Sequence, residues 1–312
     1  MRRTRLLENG HAFTLSAPRL LIGWVTRMEI PALDRPYPVR QSTYYAAVTA
    51  SFHGWPGNSF AAKDYPYLAS IAFPACDKRL LWEFACICAT MTERDDDWAA
   101  HWEPLIAEIW TRLASHTPPG QMSRLSAVVM AYREGCARHA EKLILGDIPQ
   151  DIGTYLESRY FTIGQQIDHV LIEISLGVDI SDTIEDPLMA ELLLCDIERV
   201  IACQDVLSFP KELRDGDGEN LVAVIAAEQG CSLADAMTEA CVFFKEANAR
   251  TDRAADEVLA SPLGTRRDVR QFVRGLNDFV AGLIEWTSCS SRYTGLPRSE
   301  WVTPTIPYHP ED

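Results

Sequence analysis

The chain has 312 residues, of which 47% are hydrophobic and 23% charged, which is enough apolar material for a sizeable globular core. Its formal net charge of −15 argues against a nucleic-acid partner, because proteins that bind nucleic acid usually present a basic face. Nine cysteines, an odd number without a Cys-x-x-Cys pair, argue against a secreted disulfide scaffold and favour a cytoplasmic protein.

The predicted elements are helices almost throughout. Residues 1–40 contain four prolines and little periodicity, so we expect an irregular N-terminal arm. The apolar run Leu20–Val25 is too short to span a membrane, and no membrane insertion is expected. Ten helices are predicted, at residues 41–52, 62–72, 77–94, 97–115, 122–146, 151–177, 185–209, 218–229, 232–259 and 265–290.

Local signals support this helical assignment. Asp151 precedes a long amphipathic stretch, and Ser232 is followed three residues later by Asp235, a variant of the capping box. No alternating run of β-branched residues is long enough to predict a strand. We therefore predict an all-α fold: one domain over residues 1–312, with a C-terminal tail at 294–312 and a central apolar cavity between the helices.

One short segment carries a row of oxygen-bearing side chains. Gln204, Ser208 and Glu212 recur every four residues, which on a helix places all three along one face. Oxygen ligands suit a hard cation such as Mg²⁺, which often bridges to phosphate. Lys211 adds a positive charge where that phosphate would lie. Pro210 lies inside the row and is expected to end or kink the helix.

Two further features stand at informative positions in the chain. Arg159 lies upstream of the oxygen-bearing row, and Asn220 follows it. Near the C-terminus, Trp286 precedes the pair Arg292 and Tyr293. The alternative interpretation of the two arginines is that they form surface ion pairs in an acidic protein.

In these residues the chain resembles class I terpene synthases of the microbial type. The second metal motif of that family reads Asn-Asp-x-x-Ser-x-x-x-Glu, and the chain matches it at Asp205, Ser208 and Glu212, with Gln204 in place of Asn. The family also carries an arginine about 45 residues upstream that senses diphosphate, and Arg159 is placed correctly for it.

The resemblance extends over roughly residues 40–295. Members of the family carry an Arg-Tyr pair after the last helix, preceded by a Trp, and Arg292, Tyr293 and Trp286 match that pattern. The segment around Asn220 is also similar to the sequence that follows the second metal motif in members of the family.

The chain departs from the family at the first metal motif, Asp-Asp-x-x-Asp. When the sequences are aligned on Trp82 and Phe84, which precede the motif, its three aspartates fall at Cys88, Ala89 and Thr92. None of these side chains offers a carboxylate. An atypical branch of the family is therefore expected.

Two interpretations of the neighbouring acidic residues remain open. In the first, Glu93 with Asp96 or Asp97 binds the metal about one turn later. In the second, the aspartates cap a helix that begins near Trp98, because carboxylates favour a helix N-terminus. The metal would then be held by the oxygen-bearing row and by the diphosphate itself.

The resemblance implies a sesquiterpene cyclase that uses Mg²⁺ to ionise farnesyl diphosphate and cyclises the resulting cation. Diphosphate contacts are expected from Arg159, Lys211, Arg292 and Tyr293. The wall around the cation is expected to include Phe84, Phe161 and Trp286, since aromatic faces attract cations. Family members break a helix near the position of Ile163 and Gly164 to direct a carbonyl at the substrate. The alternative for the aromatic residues and for Gly164 is ordinary core packing.

Two other functions are compatible with the same residues. A non-catalytic helical binding or scaffold relative would explain the missing aspartates, and a prenyltransferase would pass the same allylic cation to another nucleophile. The expected partner is a small prenyl diphosphate, with no nucleic acid. The oligomeric state is left open, with a homodimer as one option.

Overall fold

The all-α prediction is confirmed. This computed structural model describes residues 36–52, 64–93, 103–145, 151–215, 219–294 and 306–308, together with residues 33 and 149. Within these residues the chain forms twelve α-helices and one 3₁₀ helix, at Pro262–Thr265. The α-helices are α1 Tyr45–Phe52, α2 Tyr65–Ala72, α3 Lys78–Glu93, α4 Glu103–Ala114, α5 Pro119–Leu145, α6 Ile152–Tyr160, α7 Gln165–Leu176, α8 Pro187–Asp215, α9 Leu221–Gln229, α10 Leu233–Ala260, α11 Arg267–Cys289 and α12 Ser291–Thr294.

The described residues contain a single short piece of β structure. Strand β1, Arg40–Gln41, pairs in parallel with β2, Ile306–Pro307. No helix in the described ranges is both long and apolar enough to cross a membrane.

Two compact units can be distinguished, and each is described by itself. The first contains Met130–Gln165 and Ala190–Asp256, and the second contains Arg35–Val129, Gln166–Met189 and Glu257–Asp312. The single domain and the central cavity stay predictions.

Two of the predicted helix boundaries that are wrong lie near the candidate site. The predicted helix 151–177 is interrupted between α6 and α7, where Gly164 has a φ of +85°. Glycine enters this left-handed region without the steric cost that a Cβ atom imposes. The predicted end at residue 209 is also wrong, because α8 continues through Pro210 to Asp215.

Both predicted helix starts with capping residues are confirmed. Asp151 accepts a hydrogen bond from the Thr154 backbone N–H at 2.8 Å and so caps α6. Ser232 Oγ accepts from the Asp235 backbone N–H at 3.2 Å and donates to the Asp235 carboxylate at 2.6 Å. Each cap satisfies N–H groups that have no partner inside the helix.

The core of the first unit contains a buried polar cluster on α8. Asp196 and Arg199, both fully buried, form an ion pair one turn apart. Gln165, the first residue of α7, donates from Nε2 to Asp196 Oδ2 at 2.8 Å. A buried charge is costly unless it is paired and hydrogen-bonded, so this cluster fixes the chain directly after the helix break against α8.

The core of the second unit is built around α2, all of whose residues are buried. Helix α11 approaches α2 closely at Gly282, where an added Cβ would lie 2.5 Å from the Ile71 carbonyl carbon. One turn later on α11, Trp286 packs on Tyr65 at the start of α2, with ring centroids 5.4 Å apart. The glycine thus permits the close approach of α11 to α2.

Candidate functional site

Asp205 of α8 is the centre of a buried network in the first unit. The residue is 1% exposed, and its carboxylate accepts three hydrogen bonds. The Tyr155 hydroxyl donates to Oδ2, Arg159 Nη2 donates to Oδ1 at 3.0 Å, and the Leu221 backbone N–H donates to Oδ2 at 3.1 Å. Asp205 therefore ties α6, α8 and the start of α9 together.

Arg159 remains charged in this environment. Burial by itself lowers the pKa of its guanidinium, but Asp205, Tyr155 and Glu212 raise it, so the pKa lies well above its ordinary value. The Arg159 Nε atom is buried and has no hydrogen-bond partner among the described residues. One guanidinium donor is therefore left without an acceptor in the described part of the protein.

Tyr155 acts as a neutral hydrogen-bond donor. Burial raises the pKa of its hydroxyl, and the neighbouring Asp205 raises that pKa further, to well above the ordinary value. Tyr155 was not predicted as a site residue. Its spacing of four residues from Arg159, which places both side chains on one face of α6, is the signal that could have identified it.

Asn220 connects the end of the oxygen-bearing row to the rest of the network. Its amide Nδ2 donates to Glu212 Oε2 and to the Asp205 backbone oxygen, both at 2.8 Å. Its Oδ1 accepts from the Val222 N–H at 2.8 Å and caps α9. An asparagine directly before an apolar helical run predicts the cap, but nothing in the sequence predicts the contact with Glu212.

The oxygen-bearing row keeps its predicted spacing because α8 remains helical across Pro210. Gln204 and Glu212 are half-buried, as is Lys211 beside them. Ser208 is 1% exposed, and its Oγ has no hydrogen-bond partner in the part of the chain that the structure describes. A buried hydroxyl without a partner is unfavourable. The Ser208 hydroxyl, the Gln204 amide oxygen and the Glu212 carboxylate together form a set of oxygen ligands that fits a hard divalent cation.

The break between α6 and α7 lies next to Arg159. The Arg159 carbonyl oxygen accepts from the backbone N–H groups of Thr162 and Ile163, at 2.9 and 2.8 Å. Gly164 is buried and turns the chain into α7. The break that the resemblance implied is present, whereas the role of the Ile163 carbonyl stays a prediction.

Phe161 requires a correction. Its side chain is 42% exposed and lines an open surface groove of about 520 Å³ between α6 and α8, together with Leu194. An exposed ring in an open groove does not fit the predicted place in an enclosed cavity wall. Phe161 is therefore not a residue of such a wall.

The remaining aromatic candidates lie in the second unit. Trp286, 1% exposed, packs edge to face on Tyr293, with centroids 5.7 Å apart. The Arg292 guanidinium carbon lies 5.7 Å from the centre of the Tyr293 ring. Phe84 is fully buried and contacts Phe73 edge to face at 4.9 Å. The roles predicted for these residues toward a substrate stay predictions.

The positions of the missing aspartates lie on α3, also in the second unit. Ala89 is fully buried, and the Thr92 hydroxyl donates to the Cys88 backbone oxygen at 2.6 Å. Burial raises the pKa of the Cys88 thiol and the nearby Asp168 raises it further, so the thiol stays protonated near neutral pH. A protonated thiol is a poor ligand for Mg²⁺, which prefers oxygen.

For the acidic residues at and after the end of α3, metal binding and helix capping both stay open. Glu93 is the last residue of α3. Asp96 and Asp97 lie outside the described residues.

Comparison with known proteins identifies the family. Residues 85–250, just over half of the chain, match the model of terpene synthase family 2, C-terminal metal binding. The chain belongs to this family. This match confirms two predictions: that the chain is a class I terpene synthase, and that it is an enzyme of that class. The matched range includes Arg159, the oxygen-bearing row and Asn220.

Three curated relatives of this terpene synthase are identical to it at about a quarter of the aligned positions. Microbial terpene synthase-like protein 13 of Selaginella moellendorffii is 26% identical over 201 residues, 64% of this chain and 55% of that protein. Delta(6)-protoilludene synthase 18 of Postia placenta is 26% identical over 266 residues, 76% of each chain. The (+)-T-muurolol synthase of Roseiflexus castenholzii, named as (2E,6E)-farnesyl diphosphate cyclizing, is 26% identical over 196 residues, 62% of this chain and 60% of that protein.

A solved structure confirms the fold of this terpene synthase. The crystal structure of 2-methylisoborneol synthase from Streptomyces coelicolor A3(2) superimposes with a TM-score of 0.71 at 18% sequence identity, covering 87% of this chain and 99% of that one. At this identity the similarity supports the all-α fold alone.

Proposed function

We propose that this terpene synthase is a sesquiterpene cyclase that ionises farnesyl diphosphate with the help of Mg²⁺. One observation carries the proposal: Arg159 and Glu212 belong to one hydrogen-bonded network around Asp205 and Asn220. The arginine proposed to bind diphosphate and the carboxylate proposed to bind the metal are therefore connected through the same part of α8. The farnesyl group is supported by the Roseiflexus castenholzii relative, whose name includes farnesyl diphosphate. Magnesium is supported by the 2-methylisoborneol synthase structure, which was solved with Mg²⁺ and 2-fluorogeranyl diphosphate.

The proposed metal ligands are Gln204, Ser208 and Glu212. A divalent cation bound there would act as a Lewis acid that offsets the charge growing on the departing diphosphate. Ser208 Oγ supports this assignment because it is buried without a partner in the described part of the protein. If Asp96 and Asp97 only cap a helix, the metal is anchored mainly from α8.

The proposed role of the arginine is to bind the leaving group. When the allylic C–O bond breaks, its electron pair stays on the diphosphate oxygen. Arg159 donates to the diphosphate oxygens through charge-assisted hydrogen bonds, which are about twice as strong as neutral ones. Because its pKa is raised, Arg159 keeps its charge throughout the working pH range. Lys211, Arg292 and Tyr293 are proposed as further diphosphate contacts.

After ionisation, the chain must hold the cation and keep water away from it. Trp286 and Phe84, both buried, are proposed as aromatic walls, each of which stabilises a nearby cation by about 0.5–2 kcal/mol. The Ile163 carbonyl at the helix break is proposed to face the cation. The protein is proposed to act in the cytoplasm.

A product assay tests the proposal. The full chain is incubated with geranyl, farnesyl and geranylgeranyl diphosphate, with and without Mg²⁺, and volatile products are identified by gas chromatography with mass spectrometry. We expect a sesquiterpene hydrocarbon or alcohol from farnesyl diphosphate when Mg²⁺ is present, and none with boiled protein or without metal.

The same assay distinguishes the alternatives. Binding of diphosphate without any product would support the non-catalytic relative. Products that appear only after a prenyl acceptor is added would support a prenyltransferase. Either outcome would contradict the proposed cyclase.

A further inference from the structure

Asn220 uses every hydrogen-bonding group of its side chain in the first unit. It is fully buried, both amide hydrogens donate to α8, and the amide oxygen accepts from the Val222 N–H. The two acceptors on α8 are the Asp205 carbonyl and the Glu212 carboxylate, which belong to the network around Arg159.

Capping of α9 explains only half of this arrangement. An N-cap needs one oxygen that accepts from the first turn, and Ser, Thr or Asp would supply it as well as Asn. Asparagine differs from these residues because it also carries an NH₂ group with two donors. Those two donors contribute nothing to the cap, and both are directed at α8.

The two acceptors lie on opposite sides of Pro210. Asp205 precedes the proline by five residues and Glu212 follows it by two. Since proline has no N–H, α8 lacks one of its own hydrogen bonds at this point, and such a helix can kink. The Asn220 amide bridges the interruption and fixes the turn that carries Glu212 to the turn that carries Asp205.

The segment that follows the cap strengthens the connection. The Leu221 N–H donates to Asp205 Oδ2 at 3.1 Å, and the same carboxylate binds Arg159. One buried asparagine and its neighbour therefore hold both the metal-binding carboxylate and the residue that orients the diphosphate-binding arginine.

We propose that Asn220 is a positioning residue of the metal site: it orients the Glu212 carboxylate across the proline interruption of α8. The inference rests on the proposed function, because Glu212 is there a ligand of the divalent cation. Loss of the two amide donors would leave α9 capped but would remove the bond that aligns the Glu212 carboxylate with the turn that carries Asp205. Metal affinity would then fall, whereas the fold would persist.

Two substitutions separate positioning from capping. Asn220→Ser and Asn220→Thr both keep an oxygen that can cap α9, and both remove the NH₂ group. The melting temperature is measured without ligand and with Mg²⁺ plus inorganic diphosphate, and the Mg²⁺ concentration for half-maximal turnover is determined with farnesyl diphosphate. We expect that concentration to rise about tenfold or more, in line with the loss of a residue that orients a metal ligand.

The melting experiment gives a readout that does not depend on turnover. For wild-type protein we expect Mg²⁺ with diphosphate to raise the melting temperature, and for both variants we expect most of that increase to be lost. Asn248→Ser is the matched control, because Asn248 bonds Arg199 in the same unit but lies outside the site. This control should keep the wild-type increase.

The outcomes distinguish the two claims. If wild-type protein shows no stabilisation by Mg²⁺ with diphosphate, the proposed metal site fails and the role of Asn220 fails with it. If wild-type protein responds and Asn220→Ser and Asn220→Thr respond equally, the positioning role alone is overturned.

Discussion

Replacement of Arg159 by lysine is expected to lower kcat/KM for farnesyl diphosphate by about 10²–10³-fold, the usual cost of losing one electrostatic contact to a developing negative charge. Lysine keeps the charge that pairs with Asp205, but its compact ammonium group cannot reproduce the planar fork of the guanidinium. Steady-state kinetics measures the loss, and circular dichroism checks that the helices persist.

The lysine variant is preferred to alanine for a structural reason. Asp205 is 1% exposed, and removal of its cation would leave a buried charge unpaired, at a cost of about 3–5 kcal/mol. Arg159→Ala should abolish turnover too, but it combines the loss of function with a loss of stability. Tyr155→Phe is the matched control, since it removes another partner of the same carboxylate and should keep activity within about tenfold. Full activity of Arg159→Lys would refute the assigned role.

Replacement of Glu212 by glutamine is expected to reduce turnover on the order of 10³-fold, the upper end of such electrostatic losses. Glutamine has the same shape and can still accept a hydrogen bond from Asn220, but it removes the negative charge that attracts the cation. The residual activity should require a higher Mg²⁺ concentration. Kinetics over a range of Mg²⁺ concentrations measures both effects.

A control for this substitution is available in the same unit. Glu228 lies exposed on α9, and Glu228→Gln changes the same chemical group away from the site, so its activity should stay within about twofold of wild type. If Glu212→Gln matched this control in both turnover and Mg²⁺ dependence, Glu212 could not be a metal ligand.

The sequence predicted the oxygen-bearing row of α8 correctly in its spacing, but the helix boundary was wrong. A proline inside a helical pattern usually ends the helix, so the pattern favoured an end at residue 209. The structure has helix through Asp215, with Asn220 bonded to both sides of Pro210. These bonds join Asn220 to residues that are 15 and 8 positions away in the sequence, and local propensity contains no information about them.

The break between α6 and α7 shows the opposite situation. Periodicity continued through residues 151–177 and predicted one helix, because apolar residues recur on both sides of the break. Only the resemblance indicated a break near Gly164, and the positive φ of that residue agrees with it.

The aromatic candidates show why side-chain types alone could not define the cavity wall. Phe161 and Trp286 both carry a large aromatic side chain, yet Phe161 is 42% exposed and Trp286 is 1% exposed. The difference arises from packing, since Trp286 lies one turn beyond the close approach of α11 and α2 at Gly282. Burial of this kind depends on contacts between distant segments, which a single sequence does not specify.

Anomalous diffraction from crystals grown with Mn²⁺ and inorganic diphosphate tests the central claim most directly, because manganese replaces magnesium at oxygen sites and its position can be located unambiguously. We expect a manganese peak bound to Ser208 Oγ and the Glu212 carboxylate, with the Arg159 guanidinium donating to a diphosphate oxygen. Manganese and diphosphate bound away from α8, with Arg159 still paired to Asp205 alone, would contradict the proposed site.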